Sequence, residues 1–332
     1  MKAVQFKTYG EVTKSVVINE VDKPIIKEDE VLIEVHASSV NPLDLKVLEG
    51  TMKDLIKLKL PSTLGYDVSG VIIEKGKNVI DFKVGDEVYS KVIKQGTFSE
   101  FVAVKQSIVG LKPKNITFEE AASLPLVGLT AIQSLKKGKL KKGEKILIHA
   151  GSGGVGSFAI QYAKLLGAYV YTTTSTKNIK WVKELGADIV IDYRKENYRE
   201  KVKDVDVVLD TLGNRYTEEA FDVVKVGGKV ITLVGPVDKE TAKNMKLGML
   251  IRLYLAWKRR KITKQIKIKS AYYSLVLMRA KVAELNEIKD LVESEKIKVI
   301  IDRVFELKDS LKALLYVKKG HTKGKVVINF KS

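Results

Sequence analysis

The chain has 332 residues, with 59 Lys and Arg against 40 Asp and Glu, giving a formal charge of +19. Its hydrophobic content of 45% is enough to bury one or two sizeable cores, so two folded domains are expected and a largely disordered chain is excluded. No apolar run is long enough for a helical membrane span, and the absence of cysteine excludes a disulfide scaffold or a thiolate metal site. The opening MKAVQFKTYG predicts a first strand and lacks the long apolar stretch of a secretory leader, so a cytoplasmic location is expected. Lysine dominates the cations while Asn, Gln and Met are sparse, a composition that predicts a heat-adapted source.

From the amino end, Val4 to Phe6, Ser15 to Ile18, Val31 to Val35, Gly70 to Glu74, Asp86 to Val92 and Phe98 to Val104 are short strand patterns separated by Gly, Asp and Lys turns. They predict a β-rich region. The texture changes at KILIHAGSGGVGSFAIQYAK, Lys145 to Lys164, where a buried-type strand runs into a glycine-rich turn and then an amphipathic helix. Gly151, Gly153 and Gly156 fit G-x-G-x-x-G, with Ser152, Gly154 and Val155 completing the turn. The first glycine is expected to permit the tight turn, the second to let phosphates approach the backbone, and the third to let helix and strand pack closely. Free N–H groups at the helix start would then hold a dinucleotide pyrophosphate.

Ala168 to Thr174 predicts the second strand, and its carboxyl end bears on which nucleotide is taken. An NAD enzyme usually offers Asp or Glu to the ribose there. Here Thr174, Ser175 and Thr176 supply hydroxyls, Lys177 supplies a cation, and the next carboxylate in sequence is Glu184. Hydroxyls and an ammonium favour a 2′-phosphate, so NADPH is expected over NADH. The competing reading is a polar turn that caps a helix beginning near Asn178. Further strand patterns at Leu185 to Asp192, Val205 to Gly213 and Gly227 to Pro236 complete a doubly wound α/β sheet. Leu212-Gly213 and Val234-Gly235 end two of these strands on the ligand side and are expected to line the adenine and nicotinamide positions.

The charge is concentrated beyond that point. Lys239 to Lys281 holds 13 basic residues and one acid, Glu240, mixed with Leu, Ile, Tyr254 and Trp257. One reading is a helical lid or subunit contact with cations outward and apolar residues packed inward. Others are a site for an anionic substrate such as an acyl-CoA, or a contact with nucleic acid or an anionic membrane. Ala271 to Leu277 then predicts a late strand, Lys281 to Ser294 a helix, Ile300 to Phe305 a strand, and Lys308 to Lys318 a last helix.

Taken together, SSVNPLDLKVLEG (Ser38 to Gly50), LGYDVSGVI (Leu64 to Ile72), VGDEVY (Val84 to Tyr89), GTFSEFVAV (Gly96 to Val104), AASLPLVGLTA (Ala121 to Ala131), the glycine turn and KGKVVI (Lys323 to Ile328) resemble the medium-chain dehydrogenase/reductase superfamily, in its zinc-free quinone oxidoreductase and enone reductase branch. The resemblance implies a GroES-like β-rich catalytic domain over residues 1–122 and a Rossmann domain over 123–278 carrying the basic insertion at about 239–270. Residues 279–332 would close the catalytic domain, with a cleft between the two. It also implies that Thr130 lies beside the nicotinamide ribose and phosphate, that Tyr193 stacks near the adenosine phosphate with Lys177, and that the strand near Ala271 to Leu277 pairs across a homodimer, with a tetramer as the larger alternative.

Zinc members of the superfamily place a cysteine where this chain has Asn41, and a His-Glu pair where it has Tyr66-Asp67. Only His36, His149 and His321 are present, far apart in sequence, so no metal set is expected. Hydride transfer to an acceptor that is already electrophilic, a quinone or an α,β-unsaturated carbonyl, is the chemistry left. Asn41 is the candidate for orienting the acceptor carbonyl, Asp44 and Lys46 for arranging the site or relaying a proton, and Tyr66 for a further hydrogen bond. Against these stand a turn at Asn41-Pro42, a helix cap at Asp44 and a solvated Lys46. The alternatives to a quinone or enone reductase are an enoyl-thioester reductase and an NADPH-binding protein whose basic segment contacts RNA or membrane.

Overall fold

A computed structural model describes residues 1–53 and 56–331. They form two compact units, Met1–Leu129 with Arg279–Ser332, and Thr130–Met278. In chain order the strands are β1 (Lys2–Phe6), β2 (Val16–Glu20), β3 (Glu30–Val40), β4 (Ser62–Thr63), β5 (Asp67–Lys75), β6 (Glu87–Lys91), β7 (Phe101–Lys105) and β8 (Val109–Leu111) in the first unit. The second unit holds β9 (Lys145–Ile148), β10 (Tyr169–Thr174), β11 (Ile189–Asp192), β12 (Val205–Asp210), β13 (Val224–Thr232) and β14 (Tyr272–Leu275). β15 (Ile301–Glu306) and β16 (Lys325–Asn329) belong again to the first. Ser15, expected to begin the second strand, instead ends the one-turn helix Val12–Ser15.

The first unit is organised by β3. Along one edge, β7 pairs with Glu30 to Glu34 and β16 with Ala37 to Val40, while β5 occupies the other edge, all antiparallel. This is why one strand needs 11 residues. The alternation of Val31, Ile33 and Val35 turns one face into a core with Val68, Ile72, Val88 and Val104. The chain's last residues complete this sheet, as β15 and β16 extend it beyond β3. The helix Val282–Glu293 is tied to the unit through Tyr89, fully buried, whose hydroxyl donates to the Leu285 carbonyl at 2.5 Å.

In the second unit all strand pairs are parallel, in the order β11-β10-β9-β12-β13-β14. Counted from β9, that is the 3-2-1-4-5-6 order of the doubly wound dinucleotide fold, which reverses direction between β9 and β12. The near-continuous apolar runs Ile146–Ile148 and Val207–Leu209 suit strands covered on both faces. The basic segment forms the helices Lys239–Asn244, Met249–Lys258 and Arg260–Lys269. Its apolar residues were expected to pack inward. The Arg260–Lys269 helix does so, burying Ile262 beside Phe221 and Tyr273, but Met249–Lys258 buries no residue.

Replacing Tyr89 by Phe keeps the shape and removes one buried hydrogen bond, so it should lower unfolding stability by about 1 kcal/mol in urea titrations. A neutral outcome would mean that the hydroxyl does not tie the C-terminal helix to the sheet.

Candidate functional site

The glycine turn lies between β9 and the helix Gly154–Leu165, with Gly153 as N-cap. The left-handed residue of the turn is Ala150, φ +52°. Gly151 is bare for another reason: a Cβ there would stand 2.2 Å from Thr172 Oγ1, which donates to the Ile148 carbonyl and locks β10 to β9. Gly156 allows close packing, since a Cβ would meet the Ala150 carbonyl oxygen at 2.2 Å and Gly151 Cα at 2.8 Å. Around Gly153 nothing lies closer than the Ala150 carbonyl at 3.4 Å. Protein packing therefore demands Gly151 and Gly156 but leaves Gly153 free, with Ser152, Gly154 and Val155 partly exposed about it. A bare backbone at a helix start, not required by packing, fits an approaching phosphate.

At the carboxyl end of β10 the expected residues come together. Thr174 and Ser175 are buried, Thr174 Oγ1 has no hydrogen-bond partner, and the Thr174 carbonyl accepts the Tyr193 N–H at 3.1 Å. Lys177 is exposed on the turn Thr176–Asn178, and Tyr193 is half exposed. The fold adds a carboxylate that sequence distance concealed. Asp192, at the end of β11, accepts from Thr176 Oγ1 at 2.6 Å and from the Arg194 N–H at 3.1 Å. Desolvation pushes this carboxyl up, but those two hydrogen bonds and nearby cations outweigh it and hold the group below the usual range. Both its oxygens are thus engaged within the protein.

Leu212-Gly213 and Val234-Gly235 are also neighbours: a Cβ on Gly213 would lie 2.8 Å from Val234 Cγ2. Asp210 fixes both loops, accepting the N–H groups of Leu212 and Gly213 and the hydroxyls of Thr217 and Thr232. Thr130 is buried on the helix Pro125–Lys137. His149, just past β9, is buried against Tyr198 and Tyr216. Desolvation pulls its pKa down to about 4 despite Asp210, so it is neutral, with Nδ1 3.2 Å from Thr173 Oγ1 and Nε2 buried without a hydrogen-bond partner.

In the first unit, Asn41 and Asp44 join a buried polar cluster centred on Asp67, while Tyr66 packs with Leu64 and Phe98 near the charge of Asp44. Asp67 Oδ2 accepts from Ser39 Oγ at 2.8 Å, Asn41 Nδ2 at 2.9 Å and Lys325 Nζ at 3.4 Å, and its Oδ1 accepts the Leu126 N–H at 2.9 Å. Asn41 Oδ1 accepts from Lys325 Nζ, and its Nδ2 also donates to the Ser39 carbonyl at 3.2 Å. The Asn41 amide, expected to face an acceptor, is 1% exposed and spent on these partners. Asp44 closes a capping box at the helix Pro42–Leu48, accepting the Asn41 N–H at 2.7 Å and reaching the Gly65 N–H at 3.2 Å. Desolvation lifts its pKa to about 7, against those hydrogen bonds and Lys325. Lys46 points to solvent and is not part of the cluster.

Sequence reasoning missed Lys91 and Lys325. Lys91, at the end of β6, sits 5.1 Å over the Tyr66 ring and makes no ion pair among the described residues. Desolvation lowers its pKa, while the carboxylates of Asp67 and Asp44 oppose the shift. Tyr66 is buried, and that burial raises its phenol pKa. Lys325 lies within the KGKVVI block, but 258 residues separate it from Asp67. Among the described residues no group of three or more His, Cys, Asp or Glu is arranged to hold a metal ion.

A GroES-type β-unit together with a dinucleotide-type parallel sheet defines the class. Residues 27–114 match the family described as alcohol dehydrogenase GroES-like domain, and residues 185–328 the one described as zinc-binding dehydrogenase. The chain is 38% identical over 339 residues to the mitochondrial NAD(P)H oxidoreductase RTN4IP1 of Mus musculus, covering 92% of this chain and 83% of that protein. It is 42% identical over 247 residues to the chloroplastic NADPH-dependent alkenal/one oxidoreductase of Arabidopsis thaliana, a match that spans 71% of this chain but only 63% of that relative. Among solved structures, the quinone oxidoreductase from Coxiella burnetii superposes with a TM-score of 0.87 at 32% identity, covering 100% of this chain and 99% of that one. The chain belongs to the medium-chain dehydrogenase/reductase superfamily, in its quinone oxidoreductase branch.

The two glycines separate packing from binding. Gly156→Ala should lower unfolding stability by about 2 kcal/mol or more, because backbone atoms must move. Gly153→Ala should leave the melting temperature nearly unchanged yet weaken NADPH binding about tenfold or more in calorimetric titration. Equal affinity in Gly153→Ala would remove the turn from the binding site.

Proposed function

We propose that the protein is an NADPH-dependent, metal-independent reductase of quinones or α,β-unsaturated carbonyl compounds. The observation that carries this reading is the glycine turn with an open face at Gly153, next to a strand end rich in hydroxyls and bearing Lys177. In this reading the free N–H groups at the start of the Gly154–Leu165 helix hold the pyrophosphate. Thr174, Ser175, Lys177 and Tyr193 take the adenosine phosphate end, while Thr130, Leu212-Gly213 and Val234-Gly235 border the nicotinamide end. Asp192 keeps its negative charge while accepting from Thr176 and Arg194, so the preference for a 2′-phosphate rests on Lys177 and the neighbouring hydroxyls. NADPH bound there supplies a hydride.

The first unit supplies the polar groups for the acceptor. Asn41, Asp44 and Asp67 are positioning residues: their hydrogen bonds tie residues 39–44 to Gly65 and Asp67, and Asn41 itself has no free donor. Lys91 and Tyr66 are the candidates for touching the acceptor. An ammonium beside the oxygen that gains charge stabilises it, and a lysine whose pKa is lowered by desolvation gives up its proton more readily than an exposed one. Metal independence is supported by the residue types, since the Asn41 amide stands where zinc relatives carry a cysteine and is committed to Asp67 and Lys325. We also propose a homodimer joined through β14, whose outer edge ends the parallel sheet.

Steady-state NADPH oxidation against quinones, enones, enoyl-CoAs and aldehydes should show turnover of a quinone or an enone that a chelator leaves intact. Lys177→Ala should weaken NADPH about tenfold or more while sparing NADH. Turnover only on added zinc, or equal losses for both cofactors, would contradict the assignment.

Lys91→Met should lower kcat about a hundredfold with little change in NADPH affinity. As proton donor, Lys91 works only while protonated. The wild-type kcat should therefore fall as pH rises through a value below that of an ordinary lysine, and this limb should vanish in Lys91→Met. Asn41→Ala should raise KM more than it lowers kcat, as fits a positioning residue.

A further inference from the structure

The helix Met249–Lys258 is out of keeping with the rest of the molecule. Met249, Leu253 and Trp257 fall on one row at i, i+4 and i+8, and Leu250 and Tyr254 on the adjacent row, so the five form one continuous stripe. Every one is open to solvent: 76% for Met249, 82% for Leu250, 60% for Leu253, 53% for Tyr254 and 60% for Trp257. Ten helical residues make this stripe about 15 Å long. Apolar exposure on that scale calls for a covering surface.

The charge around the stripe says which kind. Arg252 and Lys258 flank it on its two sides, and Arg260 follows at its end. Arg260 stacks over the Trp257 ring at 4.7 Å and Lys258 over the Tyr254 ring at 5.0 Å, while the two rings stack on each other at 6.3 Å. From Lys243 to Lys281 the sequence has no Asp or Glu. Two such stripes facing each other would bring like charges together. Nucleic acid would be served by the cations but has no use for exposed Leu and Met. An anionic bilayer satisfies both: acyl chains take the stripe, lipid phosphates take the flanking cations, and Trp and Tyr suit the boundary between them. The helix also has a firm base, because the Arg259 guanidinium donates to the Val237 carbonyl and the following helix is packed through Ile262.

We infer that the Met249–Lys258 helix is an interfacial anchor that lays its stripe into the headgroup layer of an anionic lipid bilayer. The anchor is peripheral, as no helix among the described residues is long and apolar enough to cross a membrane. The inference goes beyond the reductase reading and stands without it, though an anchored reductase would meet quinones dissolved in lipid.

The test uses the full chain with extruded vesicles of phosphatidylglycerol and phosphatidylcholine, or of phosphatidylcholine alone. In a Trp181→Phe background Trp257 is the sole tryptophan, and its emission should shift to the blue on anionic vesicles only. Leu250→Ser with Leu253→Ser and Trp257→Ser should reduce co-sedimentation about tenfold or more. Arg252→Ser with Lys258→Ser and Arg260→Ser should reduce it about a hundredfold, roughly fivefold per cation. Both variants should oxidise NADPH with a water-soluble quinone at the wild-type rate. Binding is read without turnover, so a failure of the reductase assignment leaves this outcome interpretable. Three results would overturn the anchor: no co-sedimentation with anionic vesicles, vesicle binding that the apolar variant leaves unchanged, or a dimer that dissociates in the apolar variant, which would make the stripe the seat of a second copy. RNA binding that persists in the apolar variant, without vesicle binding, would assign the cations to nucleic acid instead.

Discussion

Asp67 is the constraint on which the first unit's site depends. A carboxylate with no solvent exposure is tolerable only if each of its oxygens finds donors and its charge finds a cation. Here Ser39 and Asn41 supply donors from β3 and the residue after it, Leu126 supplies a backbone N–H, and Lys325 supplies the charge from β16. The four donors come from three stretches of chain, so satisfying one carboxylate fixes three segments. Lys325 is equally dependent: burial lowers its pKa, and the carboxylates of Asp67 and Asp44 draw it back. Removing either partner would strand the other in the core, at a cost of about 3–5 kcal/mol.

The same cluster explains why Asn41 reads differently in sequence and in space. As a residue type it suggests a neutral donor aimed at a carbonyl. In the fold its amide is the bridge that lets one ammonium and one carboxylate share a site, accepting from Lys325 and donating to Asp67. The alternative weighed for Asp44, a helix cap, is present in full geometry. These four residues hold the shape of the unit, and the groups left to meet an acceptor are those whose polar atoms are not consumed internally.

What could be read from sequence follows contact distance. The glycine turn was legible because its parts lie within a dozen residues, and the alternation of apolar strands with helices gave the parallel sheet for the same reason. Asp192 was not, because it reaches Thr176 only through the parallel pairing of β10 and β11, 16 residues apart in sequence. Lys325 was further out of reach, its partner lying at the opposite end of the chain. For Gly151 the structure adds a reason that spacing does not carry: the turn takes its positive φ at Ala150, and the bare position makes room for Thr172. The packing around the other two glycines agrees with the tasks their spacing suggests, since Gly156 is closed by backbone atoms and Gly153 is left free.

The basic segment shows the limit from the other side. Its composition was plain in the sequence, but composition cannot decide whether an apolar residue faces a core or solvent. Two adjacent helices of equal length resolve that in opposite ways. Arg260–Lys269 puts Ile262 and Ile266, four apart, against the core of the second unit and leaves Ile268, Lys261, Lys264 and Lys267 exposed. Met249–Lys258 is the more apolar of the two, yet it buries nothing. Hydrophobicity alone would rank them the other way round. A helix that is rich in Leu, Met and Trp, carries cations on both flanks, and is left uncovered by its own fold has its free-energy minimum in contact with something outside the chain.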